Sequence, residues 1–472
     1  MDWHRTCRLA GASDTKRNSD KPQAHDMRSK SPNLADIMPA EANNFGAIRL
    51  MMALAVLVSH SYWLATGQSS LEPFHAWTGH SLGEHAVQVF FFLSGVVVAG
   101  SLLKSRSLLD FAVARLLRIF PALIACVLLT ALVLGPVVTG LSLKAYVTQG
   151  GWLVYIAKTV TLTTGSAPLP GVFADLPVPR LVNLSLWTLK YEVICYVLLA
   201  VFGMAYLHLP RLRTLLTIAL SVVVASIFIA PKPVDGYSMA QNIRYFILFF
   251  GTGTLAYLLR ERLVLSWFAV VPLFLAFALA IDTRFAELTS ALFLGYATLL
   301  VAKVRLPRLR WFTNQQDYSF GVYIWACPIQ QALIQVEPGI SPWKLTIIAL
   351  LIVMPLSVFS WTHIERPAMG LRKVFVAWLR ALVPARRASQ AAAPVAVTAS
   401  NAANAAERAP HVPRPAGEPA PRKVHRPDAA PLRRLKQMAQ PTPDVLQVML
   451  DGRRQNAIPR HTAKPGLVLD RG

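Results

Sequence analysis

Apolar residues along this chain fall into long runs rather than into alternating or one-sided patterns. Ten runs lie at 47–66, 83–102, 113–136, 185–207, 212–230, 243–260, 264–281, 286–303, 317–335 and 344–363. Each is close to the roughly 20 residues an α-helix needs to cross about 30 Å of hydrocarbon. The pattern therefore predicts an all-α integral membrane protein with about ten transmembrane helices in one bundle. A further stretch, 145–165, is only semi-apolar and is broken by Gly150, Gly151, Lys158 and several threonines. It reads as a partly buried segment of a long loop. The flanks differ in kind. Residues 1–42 are polar and ionic, and residues 385–472 are rich in Ala, Pro and Arg. Segment 388–430 is too poor in large apolar residues to build a core, so both tails are expected to be disordered. Leu432, Leu435, Val445, Leu446 and Met449 allow a short surface helix that Pro441 and Pro443 limit. The first run follows a long polar lead with no signal-peptide pattern, so it is expected to stay in the membrane.

Charge supports the count and sets an orientation. Lys104, Arg106 and Arg115 lie between runs two and three or at the start of three, and Arg211 and Arg213 where four gives way to five. Arg260 and Arg262 lie where run six ends ahead of seven, and Lys303, Arg305, Arg308 and Arg310 where run eight ends ahead of nine. Arg366, Arg372 and Lys373 follow the last run. With ten helices all of these share one side, together with the basic N-terminal tail. An eleventh helix would break the alternation after the third. The loop 67–82 holds no Lys or Arg. The positive-inside rule then places both termini in the cytoplasm of a multi-pass protein.

Composition agrees: 54% of residues are hydrophobic and 15% charged, with mean hydropathy +0.43, against about 25% charged in ordinary soluble domains. The net charge of +23 sits in the tails and in the loops of one face. That is a topology signal rather than a nucleic-acid footprint. Three of the four cysteines, Cys126, Cys195 and Cys327, fall in apolar runs without metal or disulfide spacing. They read as small apolar residues, and no metal site is expected.

Ionisable groups inside membrane helices are costly and mark function by default. In the first run Arg49 and His60 are eleven residues apart, which returns them to one helix face about 16 Å apart along the axis. They read as a functional stripe, or as a snorkelling Arg with a hydrogen-bonded core His. Arg115 and Arg118, at i and i+3, share a face at the start of the third run. Their forked donors suit phosphates, and they also suit a positive-inside anchor. Pro121 follows and is expected to bend that helix. In the fourth run Glu192 lies about two turns below the outer surface, at the depth of His60. A carboxylate meeting an imidazole there would orient it. A structural contact between helices is the alternative. Ser94-Gly95 in the second run suits close helix packing.

Taken together these segments resemble the acyltransferase 3 family, the membrane acyltransferases of bacterial surface glycans. Arg49 and His60 match its Arg-x10-His motif. Phe90-Phe-Phe-Leu-Ser94-Gly95 resembles its Phe-Phe-x-x-Ser-Gly, and Arg115-Leu-Leu-Arg118-Ile119-Phe-Pro121 its Arg-x-x-Arg-Ile-x-Pro. Asn183-Leu-Ser-Leu-Trp187-Thr-Leu-Lys-Tyr-Glu192, Tyr318-Ser-Phe-Gly-Val-Tyr323-Ile-Trp325 and Ile364-Glu365-Arg366-Pro367 are similar to three further motifs. The likeness covers residues 43–373 and leaves the tails outside. It departs at Ala326, where the family commonly has His, and at Lys190, a charge placed to pair with Glu192.

The resemblance implies an O-acyltransferase of the bacterial inner membrane. It implies transfer of an acyl group, by default acetyl, from cytoplasmic acyl-CoA to a hydroxyl of an extracytoplasmic sugar or glycolipid. Acyl-CoA is then a co-substrate, with no bound cofactor, and the partners are donor, glycan acceptor and membrane lipid. His60 would act as the base with Glu192 orienting it, and Arg49, Arg115 and Arg118 would hold the CoA phosphates. A transporter or flippase for a lipid-linked or acylated substrate is the alternative. Against it, the two halves show no repeat, and the polar residues crowd into the first four runs.

Overall fold

The computed structural model describes residues 33–39, 42–165, 167–226, 238–304 and 316–382. The expectations for residues 1–32, for the C-terminal tail with its surface helix, and for Arg305, Arg308 and Arg310 lie outside these residues. A helix occupies each of the ten apolar runs. In chain order the helices are α1 (Phe45–Thr66), α2 (Leu82–Lys104), α3 (Leu108–Val138), α4 (Leu143–Thr148), α5 (Gly151–Val160), α6 (Leu189–His208), α7 (Arg213–Ser226), α8 (Met239–Leu258), α9 (Val270–Ala280), α10 (Ala286–Lys303), α11 (Ser319–Val336), α12 (Pro342–Gly370) and α13 (Arg372–Leu382).

Six of these are long and apolar enough to cross a membrane: α1, α2, α3, α10, α12, and α6 with its leading turn from Leu184. The count of ten spans therefore does not follow from length and composition alone. The described part of α7 has 14 residues and α9 has 11. Helix α8 carries Gln241, Asn242 and Arg244, and α11 carries Gln330 and Gln331. Gln330 and Gln331 are fully buried. Gln330 donates to Leu57 O at 2.8 Å and Ser61 Oγ at 2.7 Å, tying α11 to α1. Gln331 donates to Val178 O and Leu181 O. Segment 145–165 forms the short helices α4 and α5, too short to span the bilayer and hinged at Gly150 with φ +66°.

Local chemistry sets the ends. Ser81 and Glu84 close a capping box at the start of α2. Gly67 ends α1 at φ +73° and returns its N–H to Trp63 O. Helix α3 runs through Pro121 and leaves the α register later, at Thr130–Leu134. Pro136 explains the shift. Gly135 N–H bonds Thr130 O, a π step, which leaves Ala131 O facing a residue with no N–H. The Tyr146 hydroxyl of α4 donates to that carbonyl at 2.7 Å. The same device recurs in α12: Arg366 N–H reaches back to Trp361 O just ahead of Pro367. The widened turn carries Glu365 into the bundle, 1% exposed.

The centre of the bundle is α1, α2, α8 and α11. Helices α2 and α8 approach through reciprocal glycines. A methyl group on Gly95 would lie 2.1 Å from Phe250 O, and one on Gly253 would lie 2.0 Å from Phe92 O. This is the close packing expected of Ser94-Gly95. Two boundaries move. Leu34 and Ile37, assigned to the N-terminal tail, form a 3-10 turn and are buried against α10 and the loop after α8. At the other end α13 extends the folded region past 373. Arg372 makes two hydrogen bonds to Asp110, at 3.0 and 2.6 Å, and Arg380 reaches Ser107 at 3.1 Å. These three bonds clamp α13 to the start of α3.

Candidate active site

Two cavities lie in series along α1. The first, about 850 Å³ to its mouth, is the arginine cavity. Arg49 enters it from the first turns of α1, and Arg115 and Arg118 from α3. The i, i+3 spacing does bring both α3 guanidiniums to one wall. Their surroundings then separate them. Arg118 donates to Glu365 Oε2 at 2.5 Å and to Asp317 Oδ2 at 2.8 Å. Its guanidinium also lies over the rings of Phe320 and Trp361, 5.4 and 5.7 Å from their centroids. Arg49 shares Asp317 at 3.1 Å. Arg115 makes no ion pair among the described residues and stands 6.0 Å from the Tyr196 ring centroid; its Nε is buried without a hydrogen-bond partner.

Asp317 lies just ahead of α11. Burial alone would raise its carboxyl, but Arg49 and Arg118, with the Ser319 hydroxyl and N–H, hold it down to about 2. Asp317 was not singled out from the sequence, and Glu365 was seen only within a motif. Their job is now visible: they neutralise and fix Arg118. The available signal was their position beside motif residues. Their pairing spans 199 and 247 residues of chain.

Glu192 also faces the arginine cavity. Tyr196, one turn on, donates its hydroxyl to Glu192 Oε1, and the Tyr196 oxygen lies 3.5 Å from Ser94 Oγ. Lys190 makes no ion pair with Glu192; its Nζ lies 4.9 Å over the Tyr191 ring. Positions i and i+2 of a helix point apart.

The second cavity, about 1340 Å³ to its mouth, is the histidine cavity. His60 lines it beside Ser59 and Trp63, facing Asn242 and Tyr245 of α8. His60 Nδ1 is buried and has no hydrogen-bond partner. The roof comes from the loop 67–82. There buried Glu72 accepts from Leu82 N and His75 N at 3.2 Å, so that carboxylate folds the loop. Gln88 donates to Tyr245 at 2.6 Å and accepts from Ser290 at 3.1 Å, which fixes the α8 wall.

The expected meeting of His60 with Glu192 does not occur, because they line different cavities. Counting turns gave equal depth on the assumption of α-helix throughout. The stretch Leu184–Thr188 is instead 3-10, which rises about 2.0 Å per residue instead of 1.5 and carries Glu192 deeper. Turn counting also fixes depth but not direction, and Glu192 turns toward Tyr196.

Val87 and Tyr323 line both cavities. The arrangement thus offers one arginine without an ion pair, Arg115, in one chamber and an available imidazole in the next. Ala326, at the position where a His was considered, is buried in the core at 1% exposure. Among the described residues no three His, Cys, Asp or Glu side chains are grouped to hold a metal ion.

Comparison with known proteins agrees with this picture. The acyltransferase 3 family model, an acyltransferase domain, matches residues 43–362. An O-acetyl transferase of Shigella phage Sf6 is 29% identical over 342 residues, covering 69% of this chain and 96% of that protein. Nodulation protein 10 of Rhizobium leguminosarum bv. viciae is 30% identical over 371 residues, covering 71% of this chain and 95% of that protein. No solved structure matches the chain.

Proposed function

Because this chain belongs to the acyltransferase 3 family and is an acyltransferase, we propose that it moves an acetyl group from cytoplasmic acetyl-CoA to a hydroxyl of an extracytoplasmic sugar or glycolipid. The observation that carries this reading is the pair of cavities in series, cationic at one end and holding a free imidazole nitrogen at the other. The name of the phage relative, an O-acetyl transferase, supports acetyl as the group and oxygen as the acceptor atom.

Orientation follows from charge. The N-terminus of α1 and the start of α3 lie on the side of the basic loops, so the arginine cavity faces the cytoplasm of the bacterial inner membrane. The histidine cavity, roofed by the loop without Lys or Arg, faces the other side. All ten helices cross the bilayer in this reading. Helix α11 does so as a core helix whose Gln330 and Gln331 amide N–H groups donate inside the bundle.

Each residue then has a role. Arg115 and Arg49 contact the phosphates of CoA, and Arg118, already held by two carboxylates, positions that wall. Tyr196 and Glu192 line the path of the thioester. In the histidine cavity His60 takes the proton of the acceptor hydroxyl. The oxygen forms a C–O bond to the thioester carbon, and the C–S bond breaks. The proton passes from imidazolium to the CoA thiolate, so acyl-CoA and alcohol become ester and CoA thiol.

Sidedness tests the reading. Membrane vesicles of both orientations are loaded with acceptor glycan extract and given acetyl-CoA outside. Inverted vesicles, with the cytoplasmic face outward, should acetylate the enclosed glycan, and right-side-out vesicles should not. Equal labelling in both orientations overturns the two-sided arrangement. Uptake of the acetyl group without a covalent product points instead to a transporter.

A further inference from the structure

Among the described residues, only Val87 of α2 and Tyr323 of α11 line both chambers. Tyr323 is fixed on two sides. Its hydroxyl lies 2.6 Å from the buried Thr188 Oγ1, and its ring meets Phe90 edge-on with centroids 5.9 Å apart. Thr188 ends the 3-10 turn that crosses from one cavity to the other. Val87 is half-buried and branched at Cβ, so its side chain has little rotamer freedom. These two side chains therefore face both the arginine cavity and the cavity that holds His60.

Resting on the acyl-transfer reading above, we propose that Val87 and Tyr323 form a partition that sets the length of the acyl group, admitting two carbons and excluding longer chains. The reacting carbonyl must reach the junction to meet a hydroxyl activated by His60. The acyl tail, on the side of the carbonyl carbon away from sulfur, then lies against Val87 and the locked Tyr323 ring. An apolar wall discriminates by roughly 10–200-fold for a single methylene. Val87→Ala removes two methyl groups from that wall, and Tyr323→Phe releases the ring from Thr188. The chemical step is unchanged, with one C–S bond broken and one C–O bond formed.

The test supplies acetyl-, butyryl- and hexanoyl-CoA in turn to the purified full chain with acceptor glycan extract, and reads the esters by mass spectrometry. Wild type should transfer acetyl, with butyryl poorer and hexanoyl poorest. Val87→Ala should raise the butyryl-to-acetyl ratio by about 10-fold or more, and Tyr323→Phe should raise it to a smaller degree. Val87→Ile, which narrows the junction by one methyl, should lower it, and keeps the proposal open to refutation if a loosened variant does not accumulate. Unchanged ratios in the variants that accumulate overturn the partition. Failure of wild type to transfer any of the three groups overturns the acyl-transfer reading itself, and the partition with it.

Discussion

The two arginines of α3 look equivalent in sequence and are not equivalent in the fold, so truncating each should have a different consequence. Arg118→Ala leaves Glu365 buried, at 1% exposure, with only Ser360 at 3.1 Å to satisfy it. Asp317 keeps Arg49. Breaking a buried pair from one side costs about 3–5 kcal/mol, so Arg118→Ala should markedly lower the midpoint of heat unfolding in detergent. Arg115 has no carboxylate to orphan. Its contact with Tyr196, at 6.0 Å, is worth about 0.5–1 kcal/mol. Arg115→Ala should therefore accumulate and unfold close to wild type. Its loss should appear in the donor: a charge-assisted bond to phosphate contributes about 1.5–3 kcal/mol, or roughly 10- to 150-fold in the KM for acetyl-CoA. Fluorescence-detected gel filtration after a heat ramp reads the first quantity, and initial rates over a range of acetyl-CoA read the second. The reasoning is refuted if the two variants behave alike, or if Arg115→Ala leaves KM unchanged while Arg118→Ala unfolds like wild type.

Three further outcomes follow from the same contacts. Gly253→Ala forces a methyl group to within 2.0 Å of Phe92 O, so α2 and α8 must part and the folded protein should accumulate poorly; normal accumulation would show that the helices adjust cheaply. Asp317 is held below its ordinary 3.8, at about 2, so its contribution to stability is full above about pH 4 and is lost as pH falls toward about 2. The difference in unfolding midpoint between wild type and Asp317→Asn should therefore narrow on acidification, and a difference that is constant with pH contradicts the assignment. Glu365→Gln keeps the shape and the Ser360 bond but drops the charge facing Arg118, so it should unfold between wild type and Arg118→Ala.

Much of the fold was legible because a membrane helix announces itself by length and hydropathy, and each of the ten apolar runs is a helix. The α3 arginine wall was legible for a similar reason: spacing i, i+3 fixes a shared face whatever the neighbours do. Gly95 could be read as a packing contact because only a small residue permits it. What the sequence withheld was direction between helices. The depth of Glu192 was estimated, but not its turn toward Tyr196 or the 3-10 stretch that lowers it. Asp317 and Glu365 come from distant segments, and no local pattern assigns either to Arg118. Pro367 was visible within a motif, yet its effect on the register of α12 depends on the backbone that precedes it. Helix α13 was missed because its residues are amphipathic rather than uniformly apolar, and its placement depends on Asp110.

The central claim is that His60 activates an acceptor hydroxyl against acetyl-CoA. Its most direct test uses purified wild-type and His60→Ala protein with acetyl-labelled CoA and acceptor glycan extract, measuring ester-linked label and released CoA thiol together. The account predicts equal amounts of ester and thiol with wild type, and neither with a His60→Ala protein that still accumulates and binds acetyl-CoA. Ester formation by His60→Ala at the wild-type rate would contradict it.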